Sequence, residues 1–272
     1  MLRCRDVTKR FGGVQALSHV NLAVHSGEIV GLIGQNGAGK TTLMDCISGF
    51  HRLESSSDDN GDGGAIIFRG VDVTEWNPAE RARSGMGRTF QEARLFPSLT
   101  VSETLAVACE RSVANRSLVA DATRLPASYL AEDDTMTRVR ELTGMLGLDR
   151  YAHTPTSVLS TGTRRIVELG CLLAEEPVLM LLDEPSAGVA QRETEALGPL
   201  LRRIRDHTGA AMLVIEHDMP LLSGLCDRLV AMELGSVIVS GPPSEVLEHP
   251  AVIASYLGTD AAAINRSGAT VT

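Results

Sequence analysis

Hydrophobic and polar positions divide the chain into three stretches of different rhythm. In the first, residues 20–24 and 28–33 are largely apolar around a His25-Ser26-Gly27 turn, which predicts two strands. Glycines interrupt the pattern at 34–39, and apolar spacing at 41–47 then predicts a helix. Residues 51–64 are rich in Ser, Asp and Gly, a polar loop, before a short strand at 65–69. The carboxylates of that loop lack EF-hand spacing, which favours a solvated loop over a calcium site. The middle stretch, 100–156, turns helical, with Met136, Val139, Leu142, Thr143 and Leu146 on one face. Residues 111–130 within it are weakly patterned and predict irregular structure. From Ser160 onward a helix carries Ile166, Leu169, Gly170 and Leu173 on one face. Val178-Leu179-Met180-Leu181-Leu182 follows, the unbroken apolar run of a strand covered on both faces, as in a parallel sheet. A helix at 192–206 and a second buried strand at 211–215 repeat the unit. Residues 260–272 are small and polar, the composition of a frayed tail.

This order predicts an α/β core interrupted by a helical insert. The core takes 1–97 and 158–258, the insert 98–157, and 259–272 forms a disordered tail. Composition agrees with a globular protein: of 272 residues, 43% are hydrophobic and 22% charged, which argues against a disordered chain. The formal charge of −9 disfavours broad nucleic-acid binding. Five scattered cysteines, with no C-x-x-C pair, argue against a disulfide framework or a cysteine zinc site and suit a reducing compartment. The first ten residues alternate charged with apolar side chains and lack a signal-peptide core. No apolar run approaches the roughly 20 residues that span a bilayer.

Gly34-Gln35-Asn36-Gly37-Ala38-Gly39-Lys40-Thr41 fits G-x-x-x-x-G-K-S/T without a mismatch, between a predicted strand and a predicted helix. Glycines let backbone N–H groups converge on phosphate oxygens, and the helix N-terminus adds its positive end. Lys40, one of only two lysines in the chain, is expected to reach the β- and γ-phosphates, and the Thr41 hydroxyl to ligate Mg²⁺, with Thr42 beside it. Asp183 closes the apolar run 178–182 and Glu184 follows. A carboxylate at the carboxyl end of a buried strand is placed to hold Mg²⁺, and the next one to polarise a water for attack on the γ-phosphate. These motifs establish a P-loop NTPase. Three further stretches narrow the class: Leu159-Ser160-Thr161-Gly162-Thr163, which opens a helix, Gln91 after Arg88-Thr89-Phe90, and His217 after Glu216.

In this order the motifs resemble the ATP-binding subunits of ABC transporters, over about residues 2–258. The resemblance implies a RecA-like P-loop core with an antiparallel β subdomain and an inserted helical subdomain. It makes residues 34–41 the Walker A loop, 178–183 Walker B, Glu184 the catalytic glutamate, Gln91 the Q-loop glutamine and His217 the switch histidine. It assigns Gln91 to the metal together with Thr41 and Asp183, and Phe11 to stacking on adenine. Ser160, Thr161 and Gly162 become the signature, usually LSGGQ, which contacts the nucleotide of a facing subunit. Two departures stand out. Thr163 replaces the usual glutamine, and Val189-Ala190 replaces the leucine and polar residue of the loop that normally links the two nucleotide sites.

The implied cofactors are ATP and Mg²⁺. The implied partners are transmembrane permease subunits, a second ATP-binding subunit forming a homo- or heterodimer, and an extracytoplasmic substrate-binding protein. The implied location is the cytoplasmic face of the cell membrane. The stretches 88–96 and 249–258 are similar to branched-chain amino acid importer ATPases, with urea or short-amide importers as the alternative. A soluble ABC ATPase of translation or DNA repair would carry two ATPase halves or a long coiled coil. A P-loop kinase would need neither the signature nor the Gln91 and His217 pair.

Overall fold

The computed structural model describes residues 1–53, 64–90, 95–110 and 126–257, apart from the side chains at 126–132, 191, 192 and 257. Gln91, most of the 51–64 loop and the 259–272 tail lie outside the described residues. The chain opens with β1 (Leu2–Phe11), β2 (Val14–Val24), β3 (Ile29–Ile33) and α1 (Lys40–Ser48). It continues with β4 (Ala65–Phe68), β5 (Val71–Asp72), α2 (Pro78–Arg83) and β6 (Met86–Arg88). Three helices follow: α3 (Val101–Cys109), α4 (Pro126–Leu146) and α5 (Thr161–Ala174). Then come β7 (Leu179–Asp183), α6 (Gln191–Thr208), β8 (Ala211–Ile215), α7 (Met219–Leu225), β9 (Arg228–Glu233) and β10 (Ser236–Gly241). The short helices α8 (Pro243–Leu247) and α9 (Pro250–Leu257) end the described chain.

Two compact units form. One comprises Met1–Arg88, Val178–Ser186 and Thr194–Thr272, the other Thr89–Pro177 and Ala187–Glu193. The first unit holds both sheets: an antiparallel one ordered β2-β1-β4-β5, and a six-stranded one ordered β10-β9-β3-β8-β7-β6. The second sheet is parallel from β9 to β6, with β10 antiparallel at its edge. Every residue of β3, β7 and β8 is buried, which is why, up to Asp183 at the end of β7, their sequences are apolar runs rather than alternations. A single hydrophobic core joins Leu17 and Val20 of the first sheet, Leu32 and Leu181 of the second, and Leu43 and Ile47 of α1.

β1 and the first half of β2 escape the sequence pattern for a structural reason. Leu2 and Cys4 point inward, but the next buried residue is Val7, and on β2 burial steps from Leu17 to Val20. The ladder shifts register between Cys4 and Val7 and between Val7 and Lys9, and Asp6 and His19 hold φ of 48° and 50°. Bulges there reset the two-residue alternation, so no window carries a clean strand period.

The loop 34–39 joins β3 to the N-terminus of α1, and the C-terminus of α1 is held by Arg81 of α2. That guanidinium is buried and donates to the Cys46 and Ile47 carbonyls at 2.7 Å each, and to Thr74 O at 2.8 Å. A cation at a helix C-terminus meets the negative end of the dipole, which offsets part of the cost of burying it.

In the second unit α3, α4 and α5 pack together. Gly170 makes the approach possible: a Cβ there would lie 2.8 Å from Leu105 Cδ2 and 2.9 Å from Leu146 Cδ1. Val139, Leu142, Thr143 and Leu146 are buried on the expected face, but Met136 is 38% exposed, so the buried seam begins one turn later than the pattern suggests. Residues 126–130, expected to be irregular, belong to α4, and 111–125 lie outside the described residues. The second unit includes all of α5, because α5 buries Gly170 against α3 and α4. None of the five cysteines is in a disulfide, and burial pushes the thiols of Cys4, Cys171 and Cys226 up to about 12.

Candidate functional site

Parallel strands bring their carboxyl ends to one edge of a sheet, and in this fold class ligands bind beyond that edge. Here Leu32 of β3 and Asp183 of β7 both pair in register with Ile215 of β8. Three loops therefore leave the sheet side by side: 34–39 after β3, 184–186 after β7, and 216–217 after β8.

The first loop is built on glycine. Gly34, Gly37 and Gly39 hold φ of 150°, 84° and 98°. Gly39 also allows close approach, since a Cβ there would sit 2.7 Å from the Ala16 carbonyl oxygen. Asn36, Gly37 and Thr41 are exposed, Gln35, Gly39 and Thr42 half-buried, and Ala38 buried. Lys40 is 6% exposed and folds back into the loop, where Nζ donates to Gly34 O at 2.6 Å and Gln35 O at 3.0 Å. Burial lowers its pKa, while the negative charges of Glu184 and Asp183 pull it back up. A buried ammonium held by carbonyl oxygens in front of a ring of backbone N–H groups suits a polyphosphate.

Asp183 ends β7, buried. Burial raises its pKa, Arg88 opposes that, and the Glu184 and Asp45 charges add to it. Arg88, at the end of β6, donates from Nη1 to Asp45 Oδ1 and Ser48 Oγ at 2.6 Å each, and from Nη2 to Asp183 Oδ2 at 3.5 Å. It ties the end of β6 to α1 and to Asp183, a link between residues too far apart in sequence to be anticipated. Glu184 continues the ladder beyond the strand, its N–H donating to Ile215 O at 2.9 Å. It then turns into the left-handed region at φ 49°, and its Oε1 lies 3.1 Å from His217 Nε2. The arrangement brings together Lys40, Asp183, Glu184 and His217 of the sequence-predicted set. Glu216 was absent from that set. Its buried carboxylate accepts from Ser186 N at 2.7 Å and from His217 N at 3.1 Å.

Phe11, at the end of β1, is 44% exposed rather than part of the core. Its ring meets His51 edge-on at 5.0 Å, with Lys9 Nζ 5.4 Å from its centroid.

In the second unit Ser160 caps α5, its Oγ accepting from Thr163 N at 3.1 Å. The Thr163 hydroxyl turns back onto Ser160 Oγ at 2.9 Å, so the residue that departs from the family pattern satisfies its own helix end. Ser160 Oγ also donates to Glu193 Oε1 at 3.3 Å, and a Cβ on Gly162 would collide with the Glu193 carboxylate. Ahead of Gln91, the Phe90 backbone is held by α5: Arg165 donates to Phe90 O at 2.8 Å, and Phe90 N donates to Glu168 at 3.3 Å. Gln91 itself lies outside the described residues.

Comparison with known proteins agrees over most of the chain. Residues 17–187 match the family described as ABC transporter, and residues 236–262 the one described as Branched-chain amino acid ATP-binding cassette transporter. The chain is 34% identical to the high-affinity branched-chain amino acid transport ATP-binding protein LivG of Escherichia coli, over 95% of this chain and 98% of that one. It is 33% identical to the high-affinity branched-chain amino acid transport ATP-binding protein BraF of Pseudomonas aeruginosa, over 95% of this chain and 98% of that one. Among solved structures it is similar to MJ1267, an ATP-binding cassette of an ABC transporter in its ADP conformation, with a TM-score of 0.76 and 28% identity over 95% of this chain and 98% of that one.

Proposed function

The chain belongs to the ABC transporter ATP-binding family and is an ATPase of that family, and from this premise we propose that it powers import of branched-chain amino acids through a separate permease. The match of residues 236–262 to the branched-chain transporter family supports an amino-acid cargo over urea or short amides. The observation that carries the mechanism is the convergence of Lys40, Asp183, Glu184 and His217 at one sheet edge.

Residues 34–42 receive the triphosphate. Lys40 exchanges the Gly34 and Gln35 carbonyls for phosphate oxygens, a swap that keeps the buried ammonium paired throughout. The donors available for Mg²⁺ fit a hard cation: the exposed Thr41 hydroxyl, and the buried Asp183 carboxylate, whose burial cost Arg88 offsets only in part. Gln91 completes that set by family likeness. Mg²⁺ would neutralise charge on the transferring phosphoryl group. Glu184 orients and polarises the attacking water, and His217 holds the Glu184 carboxylate in place through Nε2. Phe11, partly exposed, is the aromatic that family likeness assigns to adenine.

Residues 98–157 act as the helical insert that meets the permease. Ser160, Thr161 and Gly162 face the nucleotide of a second ATP-binding subunit, in a homo- or heterodimer, and an extracytoplasmic binding protein delivers cargo. Among the described residues no helix is long and apolar enough to cross a membrane; the place at the cytoplasmic face of the cell membrane is carried over from the family. Reconstitution with the permease encoded or bound alongside it tests the reading. MgATP hydrolysis should rise with branched-chain amino acid on the cargo side, and intact MgATP binding without hydrolysis would overturn it.

A further inference from the structure

We propose that Glu216 is a positioning residue that sets the spacing between Glu184 and His217; this rests on the reading of those two as the reacting pair. Glu216 is the first residue beyond β8 and is 3% exposed. A buried carboxylate is costly unless its oxygens are hydrogen-bonded, and here each oxygen serves a different loop. Oε1 accepts from Ser186 N at 2.7 Å, two residues past Glu184, and Oε2 accepts from His217 N at 3.1 Å. Before Glu184 on that loop, β7 is tied to β8 by the ladder, and the Glu184 N–H donates to Ile215 O. The left-handed residue is therefore clamped on both sides, at its own N–H by Ile215 and two residues on by Glu216. A φ of 49° is uncommon and mildly strained for a non-glycine residue, so contacts on both sides help to hold it. The clamp supplies those contacts, and the result is the 3.1 Å contact between Glu184 Oε1 and His217 Nε2.

The chemistry requires a carboxylate. Two N–H donors converge on it, and an ionised carboxylate is the side chain that presents acceptors alone. An amide of the same volume would turn its NH₂ toward one of them, donor against donor, and release one loop. Aspartate keeps the charge and loses the reach to span both.

Steady-state MgATP hydrolysis by the full-length chain, with fluorescent-nucleotide titration and NMR of the histidine rings, tests this. E216Q and E216D should each lower kcat about tenfold. KM and nucleotide affinity should stay within about twofold, since Lys40 and its loop are untouched. The His217 ring resonances should move and those of His19 should not. In an H217A background, E216Q should remove little further activity, because the two act as one device. Wild-type kcat in both Glu216 variants, the same fold loss with and without His217, or a loss carried in KM would overturn the proposal. Wild-type turnover in H217A alone would instead sink the reading of the reacting pair, and the proposal with it.

Discussion

The N-termini of α1 and α5, the two helix ends that the proposed function assigns to phosphate, are finished in opposite ways. α1 begins after Gly39 at φ 98°, with no side-chain cap and no acidic residue in its first turn. The charge seated there is positive, Lys40 on the carbonyls of Gly34 and Gln35. α5 begins after Ser160, whose hydroxyl caps it, and the charge seated there is negative, Glu193 on that same hydroxyl. The first tip leaves its donors for a ligand and brings a cation to meet it. The second is satisfied from within its own chain and must give up a carboxylate before it can take a phosphate. Two helix ends that read alike in sequence, glycine beside hydroxyl, are thus left one uncapped and one capped with a carboxylate on its cap.

The sharpest way to examine that contrast is to hold the nucleotide in place. Glu184→Gln removes the carboxylate proposed to polarise water while leaving both tips unchanged, so hydrolysis should fall by about 10²–10⁴. MgATP binding should persist, and the protein should collect as an ATP-dependent dimer in light scattering. A monomer at saturating MgATP would break the comparison by removing the role given to the second tip. Next in size, Lys40→Ala deletes the cation of the first tip. Charge-assisted hydrogen bonds contribute about 1.5–3 kcal/mol, so nucleotide affinity should fall by about 10–100-fold in fluorescence titration. An unchanged affinity would mean that the glycine loop holds phosphate without the lysine.

How much of this was legible beforehand follows from how local each feature is. The phosphate loop and the strands at 178–182 and 211–215 were readable because their signals are short: fixed glycine spacing, and apolar runs buried on both faces. β1 was not, because bulges at Asp6 and opposite His19 reset its alternation. Arg81, Arg88 and Glu216 were missed for another reason. Each is a charged residue whose value lies in partners 30 or more positions away, Cys46, Asp45 and Ser186. Nothing in a local window separates such a residue from one on a solvated face. The Glu193 contact with Ser160 spans 33 residues and was invisible for the same reason.

A smaller effect belongs to the cap of the second tip. Ser160→Ala removes the oxygen that accepts from Thr163 N and donates to Glu193. Loss of such a cap costs about 1 kcal/mol, so in the Glu184→Gln background the ATP concentration needed for half dimerisation should rise about fivefold. Nucleotide binding by the monomer, which uses the first tip, should not change.

Glu193→Gln has the smallest effect and the most telling sign. A carboxylate near a helix N-terminus contributes about 0.3–1 kcal/mol, less in high salt. Neutralising it should therefore lower thermal stability slightly. The same change takes away an anion that competes with the incoming phosphate for the tip of α5, so half dimerisation in the Glu184→Gln background should need about two- to fivefold less ATP. Destabilisation and tighter closure are opposite in sign, and a generic packing defect would not produce both. Raising the salt should shrink the two shifts together, because one electrostatic contact causes both. Weaker dimerisation in Glu193→Gln would show instead that the carboxylate shapes the tip for its ligand, and the second receptor would then be prepared rather than closed.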